Sequence, residues 1–394
     1  MKKLFFACTV FVFTFSIQAQ KLDDDQYKKL VKARQYDSAY QLLEKADPKN
    51  GNPEIVVKKV DLALNYFVQS MMHRMFSFKD LEEGEELMEL RGANGSFSIY
   101  PMEIDLILDS LIKIYPSNGS LYQALGNFYY EVHLKYGQNW FESNDELLRK
   151  MHLNSMKAIE LDAADYITYY AVGYFHNLNE AYSKAIDYYL KSIEADPSYP
   201  TSYYNLAICY LYEGKAKQGV PYAQKSIELY TDVEYKADAA RVTAALYKNL
   251  QDYANAEKYY LQSDQILSDN YYTLNQLLEV QLLQGKLKDA DKTAQLFFAL
   301  DPSNPRICSD LVEIYSITEK GDELVPFLGK MSKKNEGNHE VLGNIYFHIG
   351  SYFLRTEKLE KAKENFKIAR YNFEKVFEPG HAVFQQIDGV LNEN

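Results

Sequence analysis

Apolar and small residues recur along this chain at steps of three and four, the period of a helix with one buried face, rather than in the two-residue alternation of a half-buried strand. One stretch runs Tyr169, Val172, Gly173, His176, Ala185, Tyr189, Ser192 and closes at Pro197. The set returns as Tyr203, Leu206, Ala207, Tyr210, Gly219, Ala223 and Ser226, then as Ala240, Thr243, Ala244, Tyr247, Ala256, Tyr260 and Ser263. It returns again as Leu274, Leu277, Leu278, Gln281, Ala290, Ala294, Phe297 and Pro302, and near the C-terminus as Tyr346, Ile349, Gly350, Phe353, Ala362, Phe366 and Ala369. Aligned on segments such as Ser192-Ile-Glu-Ala-Asp-Pro197, successive units end at 163, 197, 231, 268 and 302, at intervals of 34, 34, 37 and 34 residues.

Each unit predicts a pair of helices, A and B, folded back on each other. Gly or Ala falls where the two backbones must approach, bulky side chains fill the gaps beside it, and a proline stops helix B by breaking its hydrogen-bond ladder. One such pair leaves an apolar face uncovered, so neighbouring pairs must stack. Period and positions together resemble the tetratricopeptide repeat. The resemblance implies an all-α fold, a right-handed superhelical solenoid of stacked antiparallel helix pairs with about eight 34-residue-type repeats. It also implies a protein or peptide as partner.

The rest of the chain divides around the regular units. Residues 1–19 read as a secretory signal peptide: Lys2 and Lys3, an uncharged run from Leu4 to Ile17, and small Ala19 before Gln20. The apolar run is too short to span a bilayer, which takes about 20 residues. Cys8 lacks the small-residue box that precedes a lipidated cysteine. The protein is therefore expected to be exported across an inner membrane to a periplasm or cell envelope, with no transmembrane segment in the mature chain. Residues 20–115 read as divergent N-terminal repeats, with 53–78 helical and Met71, Met72, Met75 and Phe76 as core. Regular repeats are expected over 116–302, the first carrying an insertion at about 132–150 that holds the single tryptophan, Trp140. Residues 303–378 read as divergent repeats ending in a capping helix, and 379–394 as a tail.

Charge and chemistry narrow the function. Fifty-five acidic residues against 43 basic ones give a net charge of −12, and no basic cluster reverses it locally, so nucleic acid is not an expected partner. Cys209 and Cys308 fall within helical patterns and read as buried thiols. Of the seven histidines, His339 opens a zinc-protease-like His-Glu pair, but Gly343 stands where the second histidine would be. No phosphate loop, nucleophile elbow or calcium loop occurs. No enzyme, cofactor or metal is expected, and the sequence sets no oligomeric state.

In tetratricopeptide proteins the inner surface is lined by helix A. By register this resemblance selects Asn127, Tyr130, Tyr170, Tyr174, Asn177, Tyr204, Tyr212, Arg241, Lys248, Tyr272 and Asn275, with Glu279 beside them. The adjacent pairs Tyr169-Tyr170, Tyr203-Tyr204 and Tyr271-Tyr272 each suggest one core and one groove residue. Tyrosine suits a groove because its ring is rigid apolar area and its hydroxyl still bonds. The carboxylate clamp of chaperone-tail binders is incomplete, since Gln123 and Ala171 stand where it needs Lys and Asn. The leading expectation is a non-catalytic scaffold holding a polypeptide in a Tyr/Asn-lined groove. The alternative is a small-ligand or glycan-binding accessory of an outer-membrane uptake system.

Overall fold

A computed structural model of the protein describes residues 22–92, 95 and 97–392; the expected export signal lies outside them. The chain forms two compact units, the first closing at Glu180 and the second opening at Ala181. Both are built from stacked antiparallel helix pairs. The fold is all-α, with roughly the number of repeats that the period predicts.

The first unit opens with α1 (Asp24–Lys32), α2 (Tyr36–Ala46) and α3 (Pro53–Asn65). Here the helical expectation for 53–78 holds as far as Asn65 and fails beyond it. After Asn65 the chain forms β1 (Gln69–Met71) and β2 (Met75–Ser77), then the one-turn α4 (Leu87–Leu90) and β3 (Ile99–Pro101). The strands make an antiparallel sheet in the order β1-β2-β3, pairing Gln69 with Ser77 and Ser77 with Ile99. The turn between β1 and β2 has both central residues, Met72 and His73, at positive φ, the sense that suits a twisted hairpin. His73 is held there because its N–H donates to the Tyr136 hydroxyl at 3.1 Å and its Nδ1 lies 2.9 Å from Ser70 Oγ. Of the methionines expected in the core, Met71 is 58% exposed, while Phe76 is buried.

Four helices follow: α5 (Ile104–Ile114), α6 (Gly119–Tyr136), α7 (Asn144–Glu160) and α8 (Tyr166–Leu178). The expected insertion extends α6, turns at Gly137 with positive φ, and restarts α7 behind the Ser143 cap. Trp140 tucks back, edge-on to Phe128 at 6.0 Å and close to Tyr136. Gly126 sits where α6 meets α7; a Cβ there would lie 2.8 Å from Ser155 Oγ and 3.2 Å from Ser155 N.

The second unit runs α9 (Tyr182–Ala195), α10 (Pro200–Tyr212), α11 (Ala216–Leu229), α12 (Val233–Asn249), α13 (Tyr253–Ile266) and α14 (Tyr271–Leu283). It continues with α15 (Leu287–Ala299), α16 (Pro305–Ile317), α17 (Gly321–Lys334), α18 (His339–Arg355), α19 (Leu359–Phe373) and α20 (Ala382–Leu391). Asp232, Asn270, Asn304 and Asn338 cap A helices by accepting backbone N–H groups. The A-to-B turn repeats one device. Gly214, Gln251, Gly285, Glu319 and Glu357 all take positive φ two residues after their helix, so that Lys215 N–H, for example, reaches the Tyr210 carbonyl at 2.8 Å. The residues expected at the crossings, Ala207, Ala244, Ala256, Ala290 and Ala362, are buried.

Consecutive repeats are also joined by buried hydroxyls. Ser192 Oγ lies 2.7 Å from Ser202 Oγ, and Ser263 Oγ lies 3.2 Å from Thr273 Oγ1. At the joint between them, which leads into the 37-residue unit, Ser226 instead bonds the Ala223 carbonyl of its own helix. The segment expected as a tail holds α20, whose Phe384 and Ile387 are buried against Phe366 and Phe373 of α19. The reason is its own apolar spacing, Val383, Phe384, Ile387, Val390 and Leu391, one face of a helix. Cys209 and Cys308 are buried free thiols, as expected, and burial pushes both up to about 12.

Candidate functional site

In the second unit, successive A helices bring three expected side chains, Tyr204, Arg241 and Tyr272, into one row joined by Asp238, which the register did not select. Tyr204 of α10 donates its hydroxyl to Asp238 Oδ2 of α12 at 2.6 Å. The same carboxylate accepts from Arg241 Nε at 3.1 Å, and the Arg241 guanidinium lies over the Tyr272 ring of α14, 5.5 Å from its centroid. Burial, and then the Asp238 carboxylate, push the Tyr204 phenol upward, so it remains a donor. One step along, Lys248 bonds Glu279 at 2.6 Å and Gln276 at 2.7 Å, and Gln276 donates to Asn275 at 3.0 Å. Tyr272 is 58% exposed. The row is thus a mixed-charge surface with an open aromatic face, its charges already paired, Arg241 within α12 and Lys248 across to α14.

Tyr212 does not join it. It stands at the end of α10, 65% exposed and stacked on Tyr182 of α9 with centroids 5.0 Å apart. Register places it on helix A, but the last turn of α10 carries it beside the preceding helix B.

In the first unit the expected groove residues mostly pack. Tyr130 and Tyr170 are buried, and with Tyr174 they form a three-ring cluster with centroids 5.8–6.3 Å apart. Tyr174 is tied by its hydroxyl to His133 Nε2 at 3.1 Å, and His133 Nδ1 lies 2.6 Å from Asn144 Oδ1. These two tyrosines are therefore core, a correction to the groove reading: α6 and α8 pack directly on each other, and rings at these positions fill the space between them. Asn127 and Asn177 are half-buried.

Sequence reasoning missed two clefts in the first unit. The larger, about 920 Å³, lies between the β1–β2 turn, α5 and the insertion, and exposes Met71, Leu106, Ile114 and Phe141. The Arg74 guanidinium stands 4.7 Å from the Phe141 centroid there and bonds Asp105 at 2.8 Å. The smaller, about 470 Å³, lies at Phe67, Arg91 and Lys135. One sign of the first was legible: α5 is apolar at 104, 106, 107, 108, 111, 112 and 114, more than one buried face needs. Among the described residues no group of three or more His, Cys, Asp or Glu could hold a metal, and no helix is long and apolar enough to cross a membrane.

Comparison with known proteins follows the same lines. Two family profiles described as tetratricopeptide repeat match residues 166–199 and 188–220, and the chain carries a tetratricopeptide-repeat fold. Photosystem I assembly protein Ycf3 of Cuscuta gronovii is 28% identical over 153 residues, 38% of this chain and 86% of that protein. The Cuscuta obtusiflora protein of the same name is 29% identical over 112 residues, 28% of this chain and 62% of its own length. Among solved structures, a tetratricopeptide repeat protein from Parabacteroides merdae is 15% identical, with a TM-score of 0.43, covering 69% of this chain and 99% of that one. YrrB, described as a tetratricopeptide protein with an unusual peptide-binding site, is 18% identical with a TM-score of 0.37, covering 48% and 95%.

Proposed function

We propose that the protein is a non-catalytic scaffold that holds a segment of another polypeptide against the A helices of its second unit. The observation that carries this reading is the row Tyr204–Asp238–Arg241–Tyr272, which spans three A helices and leaves an aromatic ring open at its end. An extended chain offers amides to the paired charges and an apolar side chain to the ring, while the fixed rotamers lower the entropy lost on binding. The export signal at 1–19 supports a place of work in a periplasm or cell envelope.

The test is site-specific photo-cross-linking in cells of the source organism. A benzophenone side chain at Tyr272 should give one adduct of defined mass whose digest yields peptides of a second protein. The same group at Leu296, half-exposed on the B helix α15, should give none. Equal adducts at both positions, or none at Tyr272, would overturn the reading. Export is tested separately, by sequencing the N-terminus of the recovered protein, which should begin at Gln20.

A further inference from the structure

A set of charged groups in the first unit is left unused by the A-helix row. The end of α3, the sheet and the C-terminal turn of α6 surround the cleft of about 470 Å³, within the roughly 300–1,000 Å³ of small-molecule sites. Its apolar wall includes Phe67, Met75 and Ile99, and two cations, Arg91 and Lys135, stand in it. Each places its charge 4.3 Å from the centroid of the same Phe67 ring. Ring and cations attract, but two cations held beside one ring repel each other.

Nothing nearby neutralises them fully. Among the described residues neither has an ion-pair partner. Arg91 donates to the Asn65 carbonyl at 2.9 Å, while its buried Nε has no acceptor. The acid on the same face of α6 is Glu131, one turn before Lys135, and burial pushes its carboxyl upward, toward the neutral form. Burial, and then the Arg91 charge, pull the Lys135 ammonium down; burial does the same to Arg91. Buried His73 nearby is pulled down to about 3, by burial first and then by Lys135 and Arg91. Glu131 acts on both cations, yet among the described residues it makes an ion pair with neither. Beside them Ile99 leaves 58% of its surface to solvent.

We infer that this cleft binds a small amphiphilic carboxylate, with its head between Arg91 and Lys135 and its apolar body along Met75 and Ile99. The carboxylate gives both cations a counter-charge; the body covers the exposed wall. This site is independent of the polypeptide-binding row in the second unit, and either can fail without the other.

The probes are decanoate and decanol, equal in chain and different in charge, titrated calorimetrically into the purified full chain. Decanoate is expected to bind at one per chain and at least tenfold tighter than decanol. An apolar tripeptide with a free C-terminus offers the same chemistry from a chain end. Tighter binding than decanoate would assign that source, and weaker binding the free acid. In the Arg91→Met/Lys135→Met variant the advantage of decanoate should vanish, with urea unfolding followed by Trp140 fluorescence unchanged. Should that variant not fold, Lys135→Met alone, at an exposed position, should cost at least fivefold and Lys135→Arg should restore it. No decanoate binding, equal binding of decanol, or variants that bind as the wild type does would overturn the assignment.

Discussion

Lys59 is fully buried in α3, and its ammonium makes three bonds: to Glu44 Oε2 at 2.6 Å, the Asp47 carbonyl at 2.7 Å and Asn50 Oδ1 at 2.7 Å. It clasps the loop between α2 and α3 from below, while the Asp47 carboxylate accepts from Gly51 and Asn52 N–H above. Replacing it in Lys59→Met keeps the stem and removes the charge. Glu44 is 41% exposed and returns to water at little cost. The Asp47 carbonyl cannot, and one buried acceptor left unmet costs about 1–3 kcal/mol. Asn50, half-buried, loses part of a charge-assisted bond. The gain from no longer burying an ammonium works the other way. The sum is a destabilisation of about 2 kcal/mol, roughly thirtyfold in the folded-to-unfolded ratio. The sole tryptophan, Trp140, lies in the same unit, so its fluorescence against urea reads this unit directly. A midpoint unchanged, or raised, with the slope preserved would refute the reasoning and show that burying the charge costs as much as its bonds return.

Three further outcomes follow from the packing. Gly343→Ala runs its new methyl into the buried Phe373 ring and should cost about 1–2 kcal/mol despite better helix propensity, whereas Gly329→Ala in α17 meets nothing and should gain about 0.5–1 kcal/mol; circular dichroism in urea checks both. Tyr260→Ala removes a fully buried ring and should cost about 3–5 kcal/mol, while Tyr272→Ala should stay within about 0.5 kcal/mol, so only the second can be folded and defective in binding. His73 titrates near 3 in the folded chain and near 6.5 unfolded, so the unfolded state binds the extra proton between those values. Stability of the first unit is therefore lost as pH falls below 6.5, by up to about 1.4 kcal/mol per pH unit. His73→Asn, which tolerates the positive φ, should flatten that slope by about one proton between pH 4 and 6, and an identical slope in both proteins would remove His73 as the cause.

The repeat was legible because its signal is local and steric. Small residues let two helices cross closely, so Ala207, Ala244 and Ala256 mark their crossings, although Leu278 fills the same position in α14. The tyrosine pairs show the limit of register. Tyr203 is buried with Tyr204 beside it in the row, and Tyr272 is exposed, as the pattern expects. In α8 the order inverts, Tyr170 being the buried one, because α6 is long enough for its own Tyr130 to reach α8 and take that space. The clefts were illegible for a different reason. They depend on β2 pairing with β3 across more than twenty residues, and short strands of three residues leave no period to read. The insertion was visible as extra length, but not that Trp140 would turn inward and Phe141, its neighbour, outward.

The hydroxyl pairs at the joints of the second unit have a genealogical consequence. Ser192 meets Ser202 and Ser263 meets Thr273, each ten positions apart in the chain, while the joint after Ser226 is built differently. Excising residues 193–263 would put Thr273 where Ser202 stood, and the shortened chain would close on a Ser192–Thr273 contact of the same kind. Removing only the 37 residues 227–263 would likewise bring Thr273 ten positions after a serine, Ser226, whereas removing only residues 193–226 would bring Lys236 to the place of Ser202. Blocks that end at Ser263 can therefore be lost with a hydroxyl joint retained, and the lengths at which related chains gain or lose repeats should follow that grammar.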